Sequence, residues 1–136
     1  MFFSLQGQVA IVTGGGSGIG LTVATRFVKA GATVVIADVS DCREIAANLG
    51  CSNYQVDVSD RGAMHGLIDF VVSTFDRIDI LVNNAGVFAG YKSTIESTEA
   101  DFQRCFDVNV LGVANGIAVA APVSYTHLTL PTILRV

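Results

Sequence analysis

The segment Thr13-Gly14-Gly15-Gly16-Ser17-Gly18-Ile19-Gly20 is a glycine-rich turn whose flanking residues indicate the fold class. The run before it, Val9 to Val12, is short, apolar and β-branched, as is typical of a buried parallel strand. After it, apolar residues recur at helical spacing from Gly18 to Ala30, and Gly31 follows as a stop signal. The segment therefore predicts a strand, a glycine-rich turn and a helix in direct succession.

The same alternation continues along the chain. The predicted elements are strands at 33–37, 54–56 and 80–83 and helices at about 41–49 (closed by Gly50), 61–75 and 99–121. Ser97 or Thr98 is placed to cap the last helix. Strands that alternate with helices predict an α/β domain with a parallel sheet and right-handed crossovers.

The glycine turn and an acidic residue point to the same ligand. Glycines let the backbone approach a pyrophosphate closely, and the following helix aims unpaired N–H groups at it. Asp38 ends the second predicted strand, 18 residues after Gly20 and close to the spacing at which a carboxylate meets the adenosine ribose. The glycines could instead only form a tight turn, and Asp38 could only cap the next helix in competition with Ser40 and Asp41. Their combination favours a dinucleotide site.

The residues around Asp38 predict which dinucleotide is preferred. A carboxylate accepts hydrogen bonds from ribose hydroxyls and repels a 2′-phosphate, whereas an NADP site usually supplies an Arg or Lys nearby. No basic residue occurs in the turn from Gly14 to Gly20, and none follows Asp38 before Arg43. The sequence therefore predicts NAD as cofactor, with NADP the less favoured alternative.

Four motifs in order resemble those of one known family. They are Thr13-Gly14-x-x-x-Gly18-x-Gly20, Asp57-Val58 after the third strand, Asn83-Asn84-Ala85-Gly86 after the fourth, and Asn109 within Asp107-Val108-Asn109-Val110. Over about residues 7–122 the chain is similar to classical short-chain dehydrogenases/reductases. The resemblance implies a Rossmann-type doubly wound parallel sheet. It also implies an NAD(P)-dependent oxidoreductase that moves hydride between nicotinamide and an alcohol or carbonyl substrate.

The resemblance also implies a role for each matched residue. The residues implied to bind the cofactor are Gly14, Ser17, Gly18, Ile19 and Gly20 (pyrophosphate), Asp38 (ribose), Asp57 and Val58 (adenine), and Asn84, Ala85 and Gly86 (the ribose on the nicotinamide side). Asn109 is the catalytic candidate, implied to hold a water in a proton relay.

Structural alternatives remain open for three of these motifs. Asn83 and Asn84 could satisfy backbone groups in a turn, and Asp57 could cap the turn before the helix at Arg61. Asn109 lies in mid-helix among apolar neighbours, where a buried amide needs partners, so a purely structural hydrogen bond is the alternative to catalysis.

The catalytic trio of the family is not found after Asn109. Classical members use a Ser, a Tyr and a Lys four residues after that Tyr, whereas here Ser124 and Tyr125 are adjacent and Thr129 stands where the Lys is expected. No Lys follows Lys92. We therefore expect no hydride transfer by this exact chain. The alternative function is a non-catalytic dinucleotide-binding or sensing module.

The helical pattern changes after Pro122. Residues 123–133 resemble the translation of a common transposase-type sequencing adapter. The sequence thus predicts an incomplete NAD(P)-binding Rossmann domain at 1–122, truncated after the long helix that follows the fourth strand. It predicts a non-native or disordered tail at 123–136.

Composition limits partners and location. The formal net charge is −4 and the basic residues do not cluster, so neither nucleic acid nor an anionic membrane is an expected partner. We expect a cytoplasmic protein acting on a small-molecule alcohol or ketone, and a homodimer or homotetramer for a complete version. No run of about 18 uninterrupted apolar residues occurs. The three cysteines lack metal-site spacing and are expected to be reduced thiols, with no metal bound.

Overall fold

Four parallel strands form the sheet of the computed structural model, which describes residues 3–127. In chain order they are β1 (Val9–Thr13), β2 (Thr33–Asp38), β3 (Ser52–Gln55) and β4 (Ile80–Val82). Across the sheet they lie in the order β3-β2-β1-β4, so the strand order reverses at β1. Ligands of open parallel sheets bind beyond the carboxyl ends of the strands at such a reversal.

Helices cover both faces of this sheet. They are α1 (Gly18–Lys29), α2 (Arg43–Leu49), α3 (Arg61–Phe75), α4 (Glu99–Phe106), a π-helical segment (Asp107–Leu111) and α5 (Gly112–His127). Ile11 points into a core shared with α3 and α5, whereas Val12 points into a second core that includes Ala24 of α1. The predicted doubly wound α/β sheet of the Rossmann type is therefore confirmed.

The third strand was predicted in the wrong place. The sequence indicated 54–56, but β3 runs from Ser52 to Gln55, because Ser52 pairs with Val35 and Gln55 with Asp38 of β2. Its residues are polar and lack the apolar pattern of a central strand. Val56 lies just beyond the strand and is buried, with its N–H donating to the carbonyl of Asp38.

Helices α3 and α4 each begin at a residue whose side chain makes a capping hydrogen bond. Asp60 accepts a hydrogen bond from the N–H of Ala63 at 2.9 Å at the start of α3. Thr98 and Asp101 form a reciprocal capping box at the start of α4, so Thr98 rather than Ser97 is the cap. Asp57 caps the turn that precedes α3, because its Oδ1 accepts a hydrogen bond from the N–H of Ser59 at 3.0 Å. The capping alternative for Asp57 is therefore confirmed, and its cofactor role stays a prediction.

The long helix differs from its prediction in two ways. It was predicted as one α-helix ending at about residue 121, but a π-helical segment interrupts it and α5 continues through Pro122 to His127. Val123 packs against the core beside α3, which favours continuation past the proline. The domain boundary at residue 122 stays a prediction, and residues 128–136 of the predicted tail lie outside the described residues.

One helix of the described residues, Glu99–Val123, is long and apolar enough to cross a membrane by length and composition. A core helix of a soluble protein meets the same two criteria. Val119 and Ala120 are indeed buried in the core formed with α3. The expectation that no segment spans a membrane stays a prediction.

Candidate functional site

A cleft of about 320 Å³ opens at the carboxyl ends of β1, β2 and β4. Its volume is at the lower end of the range for small-molecule sites. It lies where the strand order reverses, the position at which an open parallel sheet binds ligands. The residues that line it are Gly14, Ser17, Gly18, Ile19, Ala37, Asp38, Val39, Val56, Asp57, Val58, Asn84, Ala85, Gly86, Val87, Arg104 and Val108.

The glycine turn forms the floor between β1 and α1. Gly14 has φ +62, and a Cβ there would lie 2.8 Å from the Cα of Ala85. Gly18 has φ +51, with open space where its Cβ would be. Gly20 is buried behind the turn, where a Cβ would collide with the carbonyl of Gly14. Glycine at 14 and 18 therefore shapes the cleft, whereas Gly20 allows α1 to pack against the turn and does not line the cleft.

The first turn of α1 faces the cleft. Ser17 is the extended N-cap, its side chain makes no capping bond, and no acidic residue occupies the first turn. The leading N–H groups of a helix lack carbonyl partners within the helix and carry a positive partial charge. Ile19 is 77% exposed beside them. This end of the cleft can hold an anionic group by backbone donors alone.

Asp38 joins the glycine turn to the end of β2. Its Oδ2 accepts a hydrogen bond from the N–H of Gly16 and its Oδ1 accepts one from the N–H of Ser40, each at 3.0 Å. The N-cap position of α2 is Cys42, whose side chain makes no capping hydrogen bond. The alternative that Asp38 only caps α2 is therefore wrong, since its carboxylate lines the cleft and contacts the glycine turn.

Asp57 is fixed at the opposite side of the cleft. Its Oδ1 accepts hydrogen bonds from the Ser59 N–H at 3.0 Å and the Ser59 hydroxyl at 2.7 Å. Its Oδ2 forms an ion pair with Nη1 of Arg104 at 3.5 Å. The Ser59 hydroxyl and N–H, followed by the charge of Arg104, hold the pKa of Asp57 below its usual value. The carboxylate is therefore ionised at neutral pH.

The neighbouring Val58 is positioned by α5. Asn115 is 8% exposed and its Nδ2 donates to the carbonyl oxygens of Val58 at 3.0 Å and Ser59 at 3.2 Å. Gly112 allows this close approach, because a Cβ there would lie 2.5 Å from Cγ2 of Val58. Sequence reasoning did not identify either residue of α5.

Asn84 connects the end of β4 to the glycine turn. Its Nδ2 donates to the carbonyls of Thr13 and Gly14 at 3.0 and 3.2 Å, and the Thr13 hydroxyl accepts from the N–H groups of Asn84 and Ala85 at 3.0 and 3.1 Å. The turn alternative for this motif is thus partly correct for Asn84, since its amide binds backbone. The partners, however, are about 70 residues away and belong to the cleft.

Asn83 has a packing role behind this contact. A Cβ at Gly116 of α5 would collide with Oδ1 of Asn83. The glycine therefore lets α5 approach the end of β4.

Asn109 lies in the π-helical segment and is exposed, and it does not line the cleft. Its Oδ1 accepts from the N–H of Val87 at 2.8 Å and its Nδ2 donates to the Val87 carbonyl at 2.7 Å. A π-helical turn within an α-helix frequently marks a functional site. The structural hydrogen bond left open by the sequence is present, and the proton-relay role of Asn109 stays a prediction.

Arg104 is the charged residue of the described cleft lining that sequence reasoning missed. It lies in α4 and is 47 positions from Asp57, and no motif links the two. Only the packing of α4 beside the loop after β3 brings them together.

No described residues form a metal site. Residues 3–127 contain no group of three or more His, Cys, Asp or Glu side chains placed to hold a metal ion. Cys42, Cys51 and Cys105 are free, and Cys42 is buried beside the glycine turn.

The family model for "short chain dehydrogenase" matches residues 8–126. Among curated relatives, Short chain aldehyde dehydrogenase 1 of Euphorbia lathyris is 43% identical over 115 residues, which are 79% of this chain and 40% of the relative. Borneol dehydrogenase, mitochondrial, of Lavandula x intermedia is 40% identical over 122 residues, 88% of this chain and 47% of the relative. The chain thus spans less than half the length of these relatives.

Solved structures show the same likeness. The 3-ketoacyl-(acyl-carrier-protein) reductase of Brucella melitensis complexed with NADH is 34% identical, with a TM-score of 0.84 over 88% of this chain and 51% of that one. The RhlG/NADP complex of Pseudomonas aeruginosa is 30% identical, with a TM-score of 0.86 over 96% and 54%. An NAD+-bound xylitol dehydrogenase is 30% identical, with a TM-score of 0.79 over 89% and 49%.

Proposed function

The chain belongs to the short-chain dehydrogenase family, and on this premise we propose that it is the nucleotide-binding part of an NAD-dependent oxidoreductase acting on an alcohol or carbonyl substrate. One observation carries the proposal. The glycine turn, Asp38, Asp57 and the segment from Asn84 to Gly86 come from four separate parts of the chain and line a single cleft.

The chemistry of the cleft fits the dinucleotide from end to end. In this proposal the pyrophosphate lies on the first turn of α1, where backbone N–H groups replace basic side chains. Asp38 accepts hydrogen bonds from the ribose hydroxyls, and the ionised Asp57 accepts one from the adenine amino group. Val58 supplies backbone groups beside the adenine, and Ala85 and Gly86 border the second ribose.

The residues of this chain bind and orient the reacting group. The nicotinamide, when bound, supplies or accepts the hydride. The hydrogen bonds between Thr13 and Asn84 hold the end of β4 against the glycine turn. They fix the distance between these two walls of the cleft. Asn109 fixes the backbone of Val87, the last of the β4-side residues that line the cleft. The proposal includes the role that the family resemblance implies for Asn109, which is to hold a water in the proton relay.

NAD is the proposed cofactor because of Asp38. Solved relatives contain NADH, NADP and NAD+, so the likeness alone supports a nicotinamide dinucleotide of either kind. The Asp38 carboxylate lies at the end of β2, bound to the N–H of Gly16, and a 2′-phosphate there would meet a like charge.

Titration of the full chain with NAD and NADP by calorimetry tests the proposal. We expect saturable binding with NAD the tighter ligand, and weaker NAD binding in Asp38→Ala. Asp41→Ala is the matched control, since Asp41 pairs with the exposed Arg43 and does not line the cleft. Absence of NAD and NADP binding by a folded chain would overturn the proposal.

A second candidate function is dinucleotide sensing without turnover. It is favoured by the pairing of both polar atoms of the Asn109 amide with Val87. Hydride transfer is measured as NADH absorbance with a panel of secondary alcohols and ketones. Because no turnover by this chain is expected in either reading, a complete version separates them. Turnover by the complete version supports the oxidoreductase, and binding without turnover by it supports sensing.

We also propose a cellular location, a substrate class and an oligomeric state. It is cytoplasmic, it takes a small-molecule substrate, and neither membrane nor nucleic acid is a partner. A complete version forms a homodimer or homotetramer. Light scattering of a complete version and fractionation of cells that express it test these statements.

A further inference from the structure

Arg104 is a basic residue in a cleft lined otherwise by acidic and uncharged side chains. Among the described residues that line the cleft, it carries the one cationic side chain, whereas Asp38 and Asp57 carry carboxylates. Its Nη1 lies 3.5 Å from Oδ2 of Asp57. Arg104 comes from α4 and Asp57 from the loop after β3, so the pair joins two separate parts of the wall.

The hydrogen bonds of Asp57 leave a defined space for a ligand. A carboxylate has about four acceptor positions, two on each oxygen. The N–H and hydroxyl of Ser59 occupy both positions on Oδ1, and Arg104 occupies one on Oδ2. One acceptor position, on Oδ2, therefore remains for a donor in the cleft.

We propose that Arg104 is a positioning residue for the adenine base, which it serves by orienting Asp57. Its guanidinium holds Oδ2 so that the remaining lone pair receives the exocyclic amino group of adenine. The inference rests on the proposed function, because it requires a dinucleotide in the cleft. The planar fork of Arg fixes the direction of this contact in a way that a Lys ammonium does not.

The proposal predicts discrimination between two bases. Adenine carries an amino donor at its 6-position, whereas hypoxanthine carries an oxo acceptor there. An oriented carboxylate accepts from the first and repels the second. NAD should therefore bind more tightly than nicotinamide hypoxanthine dinucleotide, and the ratio of the two Kd values should depend on Arg104.

The experiment measures that ratio for the full chain and for Arg104→Gln. We expect Arg104→Gln to lower the selectivity for NAD about fivefold, the size of a partly exposed ion pair's effect. Asp57→Asn should lower it at least as much, and adding Arg104→Gln to Asp57→Asn should lower it no further. Arg43→Gln is the matched control, because Arg43 forms an ion pair with Asp41 at 2.7 Å outside the cleft. It should leave the ratio unchanged.

An unchanged ratio of the two Kd values in folded Arg104→Gln would overturn the inference while the proposed function stands. Equal weakening of both dinucleotides, which a merely structural role would produce, is one way to that result, and no weakening of either is the other. If Arg104→Gln does not fold, Arg104→Lys takes its place, with an intermediate ratio expected. A folded parent chain that binds neither dinucleotide refutes the proposed function itself, and the inference with it.

Discussion

The side-chain amide of Asn109 is hydrogen-bonded to both backbone groups of Val87, at 2.8 Å to its N–H and 2.7 Å to its carbonyl. The two bonds attach the π-helical segment to the chain that leaves β4. Val87 lines the cleft, so a residue outside the cleft determines the position of part of its wall. The pairing explains why an asparagine stands in mid-helix despite its modest helix propensity.

Removal of this pairing should destabilise the fold. Asn109→Ala deletes two hydrogen bonds, and we expect a loss of about 1–3 kcal/mol in the free energy of unfolding. Urea denaturation measures it. Gln103→Ala, which removes one surface bond to Asp107 on the same helix, should cost far less. Equal stability of Asn109→Ala and the parent chain would contradict the pairing.

The Thr13 hydroxyl should be more important than its methyl group. Thr13 is 1% exposed, and its Oγ1 donates to the Val82 carbonyl and accepts from two backbone N–H groups. Thr13→Val leaves those N–H groups without their acceptor, and we expect about 2–4 kcal/mol of destabilisation. Thr13→Ser keeps the hydroxyl and should cost about 1 kcal/mol. A thermal or urea series compares the two, and the opposite ranking would show that packing dominates.

The dinucleotide preference should depend on the charge of Asp38. Asp38→Asn removes the repulsion of a 2′-phosphate, and we expect the ratio of NADP to NAD affinity to rise about tenfold. Calorimetric titration with both ligands measures it. Asp41→Asn is the control, because Asp41 does not line the cleft and its substitution should leave the ratio of NADP to NAD affinity unchanged. An unchanged ratio in Asp38→Asn would assign the preference to another residue.

The start of α4 should lose stability in acid. The Thr98 N–H, followed by Lys92 and the Thr98 hydroxyl, lowers the pKa of Asp101 from 3.8 to about 2. Because the folded-state pKa is the lower one, the contribution is complete above about pH 3.8 and is lost as pH falls through about 2. Asp101→Asn should therefore be less stable than the parent chain at neutral pH, with the difference vanishing in strong acid.

Thermal unfolding across this pH range tests that expectation. Glu99→Gln is the control, since it removes a carboxylate from the same first turn of α4. It should show only the smaller effect of the helix dipole. A pH-independent difference for Asp101→Asn would point to packing instead of charge.

The cost of a side chain at Gly16 should fall when Cys42 is made smaller. A Cβ at Gly16 would collide with Sγ of Cys42 and lie 3.0 Å from Oδ2 of Asp38. We expect Gly16→Ala to be destabilised by about 1–3 kcal/mol, and Cys42→Ala in the same chain to restore part of this loss. A double-mutant cycle by urea denaturation measures the coupling. Strict additivity of the two substitutions would contradict the contact.

Local patterns predicted most of the fold. The period of apolar residues placed β1, β2, α1 and α3 within a residue or so of their observed bounds, because each buries a face set by its own geometry. β3 was displaced because its polar residues owe their strand conformation to pairing with β2. The π-helical segment was missed, since the contact that Asn109 makes from within it joins residues far apart in sequence.

The candidate site was predicted only in part for the same reason. The glycine turn, Asp38, Asp57 and the segment from Asn84 carry recognisable residue types beside strand ends. No motif in the sequence identifies Arg104 or Asn115, because their partners at the cleft are 47 and 57 residues away in the chain.

The α/β alternation, the glycine turn and the acidic residues at strand ends could be predicted from the amino-acid sequence. These features depend on backbone sterics, burial period and charge, which are properties of short segments. Three contacts depend on the packing of the folded chain: Asp57 pairs with Arg104, Asn109 binds Val87, and Gly20 lies behind the turn. Such contacts require the helices and the sheet to be packed first, since distance along the chain does not predict distance in space.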